Sequence, residues 1–103
     1  MTTRQHKMFH PGTLIRNTYI EPFEDMTANR IADELGCARS TFNRLVNENA
    51  DISPQMAIRL SRVLGSSAES WMSLQTNYNL WLAEKKMKKL KIKLKPIDFS
   101  KVA

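Results

Sequence analysis

The sequence predicts an all-α domain, a compact bundle of five short helices, and three observations predict it. Apolar residues between positions 10 and 83 recur at three- and four-residue intervals, the spacing of one face of a helix. Each such stretch opens on a residue suited to a helix start: His10-Pro11, Thr27, Ser53-Pro54 and Ser66. Stops follow at Glu21-Pro22, Gly36 and Gly65.

The first helix begins at His10-Pro11-Gly12, because proline is well tolerated in a first helical turn, and Leu14, Ile15, Thr18 and Tyr19 continue the period. It stops at Glu21-Pro22, since the residue before proline is pushed out of the helical region. Thr27 is placed to cap a second helix, ANRIADEL, carrying Ile31, Ala32 and Leu35 on one face. Gly36, able to take positive φ, ends it. A third helix follows over residues 38–46, with Phe42, Leu45 and Val46 inward. Ser53-Pro54 starts a fourth, QMAIRLSRVLG, closed by Gly65. Ser66 and Glu69 have the spacing of a capping box for a fifth, whose stripe is Trp71, Leu74, Tyr78 and Trp81 or Leu82.

A chain of 103 residues can bury one modest core, so a single domain is expected. No apolar run approaches the roughly 18 residues of a membrane-spanning helix. The segment MTTRQHKMFHPG lacks the apolar core of a secretory signal. Cys37 is the one cysteine, which excludes an intramolecular disulfide framework. These features lead us to expect a cytoplasmic protein with no membrane partner.

The net charge of +6 is unevenly distributed. Residues 1–83 balance eight basic against eight acidic side chains, whereas residues 84–103 set eight lysines against Glu84 and Asp98. The excess is therefore confined to the tail, where a charge run is more often a solvated extension than a reading surface.

Two helices joined by a short glycine-containing turn, the second rich in polar side chains, form a helix-turn-helix arrangement. With Phe42 and Leu45 in the core, Arg39, Ser40, Asn43 and Arg44 face outward, and positions 40, 43, 44 and 47 share one stripe. Arginine can clasp guanine O6 and N7 with two bonds, and asparagine can do the same with adenine. Thr41 and Asn47, at the flanks, are better placed for phosphate oxygens, which fix orientation without reading sequence. Double-stranded DNA is the expected partner.

Other constellations point to no chemistry. His6 and His10 have no carboxylate or cysteine partners at metal spacing, and no glycine-rich phosphate loop or nucleophile elbow occurs, so neither metal nor cofactor is expected. Asp33-Glu34 reads as a solvated face and the six methionines as core filler. Trp71, Tyr78 and Trp81 read as core or dimer interface rather than base-stacking platforms. In the tail, LKIKLKPIDF alternates Leu90, Ile92 and Leu94 with lysines, the period of a strand that Pro96 would limit. Met87, Leu90 and Leu94 also fit a helix continuing to Lys95; the strand is the favoured reading. It would pair with its copy in a dimer or add an edge to a partner's sheet. Otherwise the tail is a frayed basic extension.

The stretches HPGTLIR, YIEPFEDMTANRIADELGCARSTFNRLVN, DISPQMAIRLSRVLG and SWMSLQTNYNLWLAEKK, within residues 10–86, resemble the HigA group of antitoxins in the lambda-repressor-like (XRE) helix-turn-helix family. The last stretch is the specific one, since the generic repressor domain shares only the central turn. The resemblance implies a five-helix lambda-repressor-like domain that forms a homodimer and binds a palindromic operator in its own promoter. It also implies neutralisation of a HigB-like ribonuclease toxin by direct binding. Base-contacting positions carry over to Arg39, Ser40, Asn43 and Arg44, and phosphate-contacting positions to Thr41 and Asn47, with Thr27 and Ser53 as weaker candidates. The expected division is an arm at 1–9, the DNA-binding domain with its dimerisation helix at 10–83, and a basic extension at 84–103.

Three positions depart from the group's pattern. Ala38 stands where a hydroxyl usually caps the recognition helix, and Cys37 where an apolar or β-branched residue is usual. Asn47 is followed by Glu48 and Asn49 rather than glycine, leaving Asn49 as the expected positive-φ residue and Glu48 as a charge opposed to phosphate. Two other readings remain at this stage. One is a stand-alone dimeric repressor with no toxin partner. The other, an RNA-acting enzyme using the lysine-rich end, has no candidate acid/base pair.

Overall fold

His10 starts the fold. Its imidazole Nδ1 accepts the Gly12 N–H at 2.9 Å and caps α1 (Pro11–Ile15), while the ring lies 95% buried with its edge against Tyr78. The structure, a computed structural model, describes residues 7–102; His6 and most of the expected arm lie outside those residues. The helix then widens into a π-helical turn (Arg16–Ile20), closed by the Glu21 N–H reaching the Arg16 carbonyl at 2.9 Å.

The remaining helices are α2 (Ala28–Leu35), α3 (Arg39–Val46), α4 (Pro54–Val63) and α5 (Ala68–Leu90), followed by a single 3₁₀ turn (Phe99–Lys101). The all-α expectation holds: five α-helices and no strand occur among the described residues. Thr27 and Ser53 cap α2 and α4 as expected, accepting the N–H groups of Arg30 and Met56 at 3.1 Å each. The cap of α5 falls one residue later than the spacing predicts. Gly65 and Ser66 both take positive φ to turn the chain, so the first residue with the extended backbone of an N-cap is Ser67, which accepts the Ser70 N–H at 3.0 Å.

Helical periodicity places the core. Ile15, Ile31, Ala32, Leu35, Phe42, Leu45, Val46, Ile52, Met56, Ala57, Leu60 and Trp71 form one buried cluster. Phe42, Leu45 and Leu60 are essentially inaccessible, and each such burial contributes roughly 1.5–3 kcal/mol relative to exposure. On α5 the inward stripe is Trp71, Gln75 and Trp81 with half-buried Tyr78; Trp81 rather than its alternative Leu82 is inward, and the expected Leu74 is exposed. The buried amide of Gln75 is satisfied: its Oε1 accepts the Ile52 N–H at 2.7 Å, and its Nε2 donates to Asn79 at 3.0 Å.

Two glycines bear on the site. A Cβ at Gly12 would sit 1.9 Å from the Leu45 carbonyl oxygen, so only glycine lets α1 cross this close to the end of α3. Gly36, at φ 68°, ends α2 in the left-handed region and starts the turn into α3. At the far end of α3, Glu48 and not Asn49 takes positive φ, 66°. A local bond and a tertiary one go with this choice. In that conformation the Asn49 N–H reaches back to the Arg44 carbonyl at 2.8 Å, and the Glu48 carboxylate turns onto α1, where Thr13 Oγ1 donates to it.

The favoured strand over the lysine-rich segment does not form. α5 runs on to Leu90, Lys91 breaks it with φ 54°, and residues 92–98 continue with no regular secondary structure and no paired strand. The alternation survives, but an all-helical domain offers no sheet edge to pair with. This end of the chain stands away from the bundle. The extents are 63 × 27 × 25 Å and the radius of gyration is 17.9 Å, against about 13 Å for a compact domain of this length.

Candidate nucleic-acid interface

The helix α3 buries one side and exposes the other. Phe42, Leu45 and Val46 are at most 2% accessible, whereas Arg39, Ser40, Thr41, Arg44 and Asn47 are exposed and Asn43 is half-buried. The spacing argument therefore places all six polar side chains on the surface side. No side chain caps α3 at Ala38, so the electropositive first turn of the helix has no capping acceptor from its own cap residue.

Each polar group has a defined setting. Arg39 forms a two-point ion pair with Asp33 of α2: Nε donates to Oδ1 at 3.0 Å and Nη2 to Oδ2 at 2.7 Å. Those hydrogen bonds hold the Asp33 carboxyl below its ordinary range and push the Arg39 guanidinium up. Asn43 Nδ2 donates to Asn29 Oδ1 on α2 at 2.8 Å and to the Arg39 carbonyl at 2.7 Å. Arg44 Nη2 donates to the Asn49 carbonyl at 3.2 Å. Asn47 Oδ1 accepts from Arg16 Nη2 at 2.7 Å, which ties the end of α3 to the π-helical turn that follows α1. Ser40 and Thr41 present exposed hydroxyls. Thr27 and Ser53 cap their helices, each keeping its hydroxyl proton for a further acceptor.

The structure brings Arg39, Ser40, Thr41, Asn43 and Arg44 together on one helix, with Asn47 as its C-terminal cap. Thr27 and Ser53 are set at the starts of α2 and α4. Sequence reasoning missed the partners from α2, Asn29 and Asp33. They lie four residues apart on a helix whose inward face is already known, and that interval was the available signal. It also missed Arg59 of α4, whose Nη1 donates to the Leu35 and Gly36 carbonyls at 2.7 and 3.0 Å and fastens the turn between α2 and α3.

Cys37, in that turn, is half-buried, and its thiol contacts the Ala32 carbonyl at 3.8 Å. Burial pushes the thiol pKa up, opposed by the nearby Arg59 charge, so the group stays a neutral packing element at ordinary pH. Among the described residues no cluster of His, Cys, Asp or Glu could hold a metal ion, and no helix is long and apolar enough to cross a membrane.

Two helices joined at a left-handed glycine, the second exposing arginine, serine, threonine and asparagine, define a helix-turn-helix protein. Comparison with known proteins gives the particular family. No family model matches the chain. Virulence-associated protein I of Dichelobacter nodosus is 35% identical over 83 residues, covering 81% of this chain and 76% of that protein. The HTH-type transcriptional regulator YddM of Escherichia coli (strain K12) is 37% identical over 75 residues, covering 73% of this chain and 78% of that one. The Pseudomonas aeruginosa antitoxin HigA, solved with the higBA promoter, superposes with a TM-score of 0.80 at 33% identity, over 89% of this chain and 100% of that one. The chain belongs to the HigA-type antitoxins of the lambda-repressor-like helix-turn-helix family.

Proposed function

We propose that this chain is an antitoxin that binds palindromic operator DNA as a homodimer, represses its own operon, and neutralises a HigB-like ribonuclease toxin by direct binding. The observation that carries the DNA half is the exposed polar face of α3 above a fully buried apolar face, in a fold shared with a promoter-bound relative. In this reading α3 enters the major groove, with Arg39, Ser40, Asn43 and Arg44 toward base edges. Thr41, Asn47, Thr27 and Ser53 take phosphates. The uncapped start of α3 adds attraction for an anion. The toxin half rests on family membership. The chain itself is assigned no catalysis, and its setting is the cytoplasm.

A mobility-shift titration across operator variants tests the DNA reading. Arg39→Ala and Arg44→Ala should each weaken binding by about 1–3 kcal/mol and relax preference at particular base pairs, with the fold intact. Uniform weakening on every sequence would reduce both residues to phosphate contacts. Half-sites should be centred about one helical turn, roughly 34–36 Å, or a multiple of it, apart. Co-expression with a small toxin encoded beside this gene should give a stable complex and relieve growth arrest. If no complex purifies, the chain is a stand-alone repressor.

A further inference from the structure

We propose that Asn29 and Asp33, both on α2, are positioning residues that decide which bases α3 reads. The inference rests on the DNA-binding reading above. Four residues apart on α2, the two side chains face α3 and hold the pair Arg39 and Asn43, themselves four apart.

The direction of each hydrogen bond can be fixed chemically. The Arg39 carbonyl oxygen can only accept, so the side-chain atom of Asn43 lying 2.7 Å from it is the amide nitrogen. The same nitrogen lies 2.8 Å from Asn29, which must therefore present its oxygen. Both amide hydrogens of Asn43 are then taken, and only Oδ1 is left for a base. A lone acceptor in the major groove matches an amino group, N6 of adenine or N4 of cytosine, and is repelled by the acceptors of thymine and guanine. The two-bond adenine contact expected from the residue type would require breaking the bonds that orient this amide.

Asp33 acts on Arg39 in a comparable way. It occupies Nε and one side of Nη2, which leaves the terminal edge formed by Nη1 and the other side of Nη2. That edge carries the two parallel donors that guanine O6 and N7 accept. A held guanidinium gives up less conformational freedom on contact than a mobile one, so Asp33 strengthens the guanine contact while lowering the net positive charge of the face. The structure therefore assigns guanine to Arg39, adenine or cytosine to Asn43, and the constraint behind both choices to α2.

Selection of bound half-sites from a randomised duplex pool tests this, using the full chain and the variants Asp33→Ala, Asn29→Ala and Asn29→Asp. Thermal melts establish that each variant is folded. The wild-type chain should select guanine at one position and adenine or cytosine at another. Asp33→Ala should lose about tenfold of the guanine preference and keep the second preference. Asn29→Ala leaves the Asn43 amide held at one bond and able to turn, so that thymine and guanine become acceptable at its position while the Arg39 position keeps guanine. Asn29→Asp retains the acceptor and should retain the adenine-or-cytosine choice, at lower affinity for phosphate-rich DNA. Uniformly tighter binding by Asp33→Ala with unchanged base preference would overturn the proposal, because Asp33 would then be masking Arg39. Unchanged profiles in all variants would overturn it as well, while leaving the DNA-binding reading standing. If the wild-type chain selects no sequence, that reading falls and this inference with it.

Discussion

Arg59 of α4 and Gly36 between α2 and α3 are joined through the backbone: the guanidinium donates to the Gly36 carbonyl at 3.0 Å and to the neighbouring Leu35 carbonyl at 2.7 Å. The last carbonyls of a helix lack intrahelical partners, and here a charged side chain from another helix supplies them. The angle between the two helices of the motif is thereby anchored to the rest of the bundle. Arg59→Ala should lower stability by about 1.5–3 kcal/mol, the range for a hydrogen bond to a charged group, measured from the urea midpoint. A midpoint equal to that of the wild type would mean that the turn holds itself.

Gly12 should tolerate no side chain. Its missing Cβ faces the carbonyl group of Leu45 and the Cα of Val46, which are backbone atoms that cannot swing aside. Gly12→Ala should therefore cost about 3 kcal/mol, the upper range for overpacking, read by thermal denaturation. Gly65 makes an informative contrast, because a Cβ there meets nothing within 4 Å and the strain comes from φ 102° alone. Gly65→Asn should accordingly be the milder substitution.

Gln75 is the buried polar group that links α5 to the loop before α4. Gln75→Leu keeps most of the volume but leaves the Ile52 N–H without its acceptor, a loss of about 1–3 kcal/mol. Hydrogen exchange should show the Ile52 amide losing protection first. Persistent protection in the variant would show that another acceptor replaces the amide.

Acid should separate Asp33 from Arg39. The hydrogen-bonded guanidinium lowers the folded-state pKa of Asp33, so the pair's contribution is complete above the ordinary Asp value and disappears as pH falls through the lower, folded value. A carboxyl-carbon NMR titration should find Asp33 below the ordinary Asp range, and Arg39→Gln should return it there. Because the pair is exposed, its main effect is orientation rather than global stability. An ordinary titration in the wild-type chain would indicate that the ion pair does not persist in water.

Much of the fold was legible from residue types alone. Thr27, Gly36 and Ser53-Pro54 mark helix ends through backbone rules that act within three or four residues. Phe42, Leu45 and Val46 are inward because a helix has only one way to bury them together. The shift from Ser66 to Ser67 escaped because either serine can cap, and the choice lay with a turn that needed two positive-φ residues. The strand reading of LKIKLKP failed because alternation describes a face, and a face becomes a strand only where another strand accepts its hydrogen bonds.

By itself, then, the sequence determined where the helices lie, the buried faces of α2 and α3 and the set of side chains on the outer face of α3. These follow from the 3.6-residue period and from caps whose range is a single turn. Only the tertiary structure decided that Asp33 holds Arg39, that Asn29 orients Asn43, that Arg59 fastens the turn and that Gln75 belongs inside. The partners in these pairs are 6, 14, 23 and 23 residues apart; two pairs join different helices and two join a helix to a turn or loop. A hydrogen bond across such a distance depends on how helices cross, which no local propensity specifies.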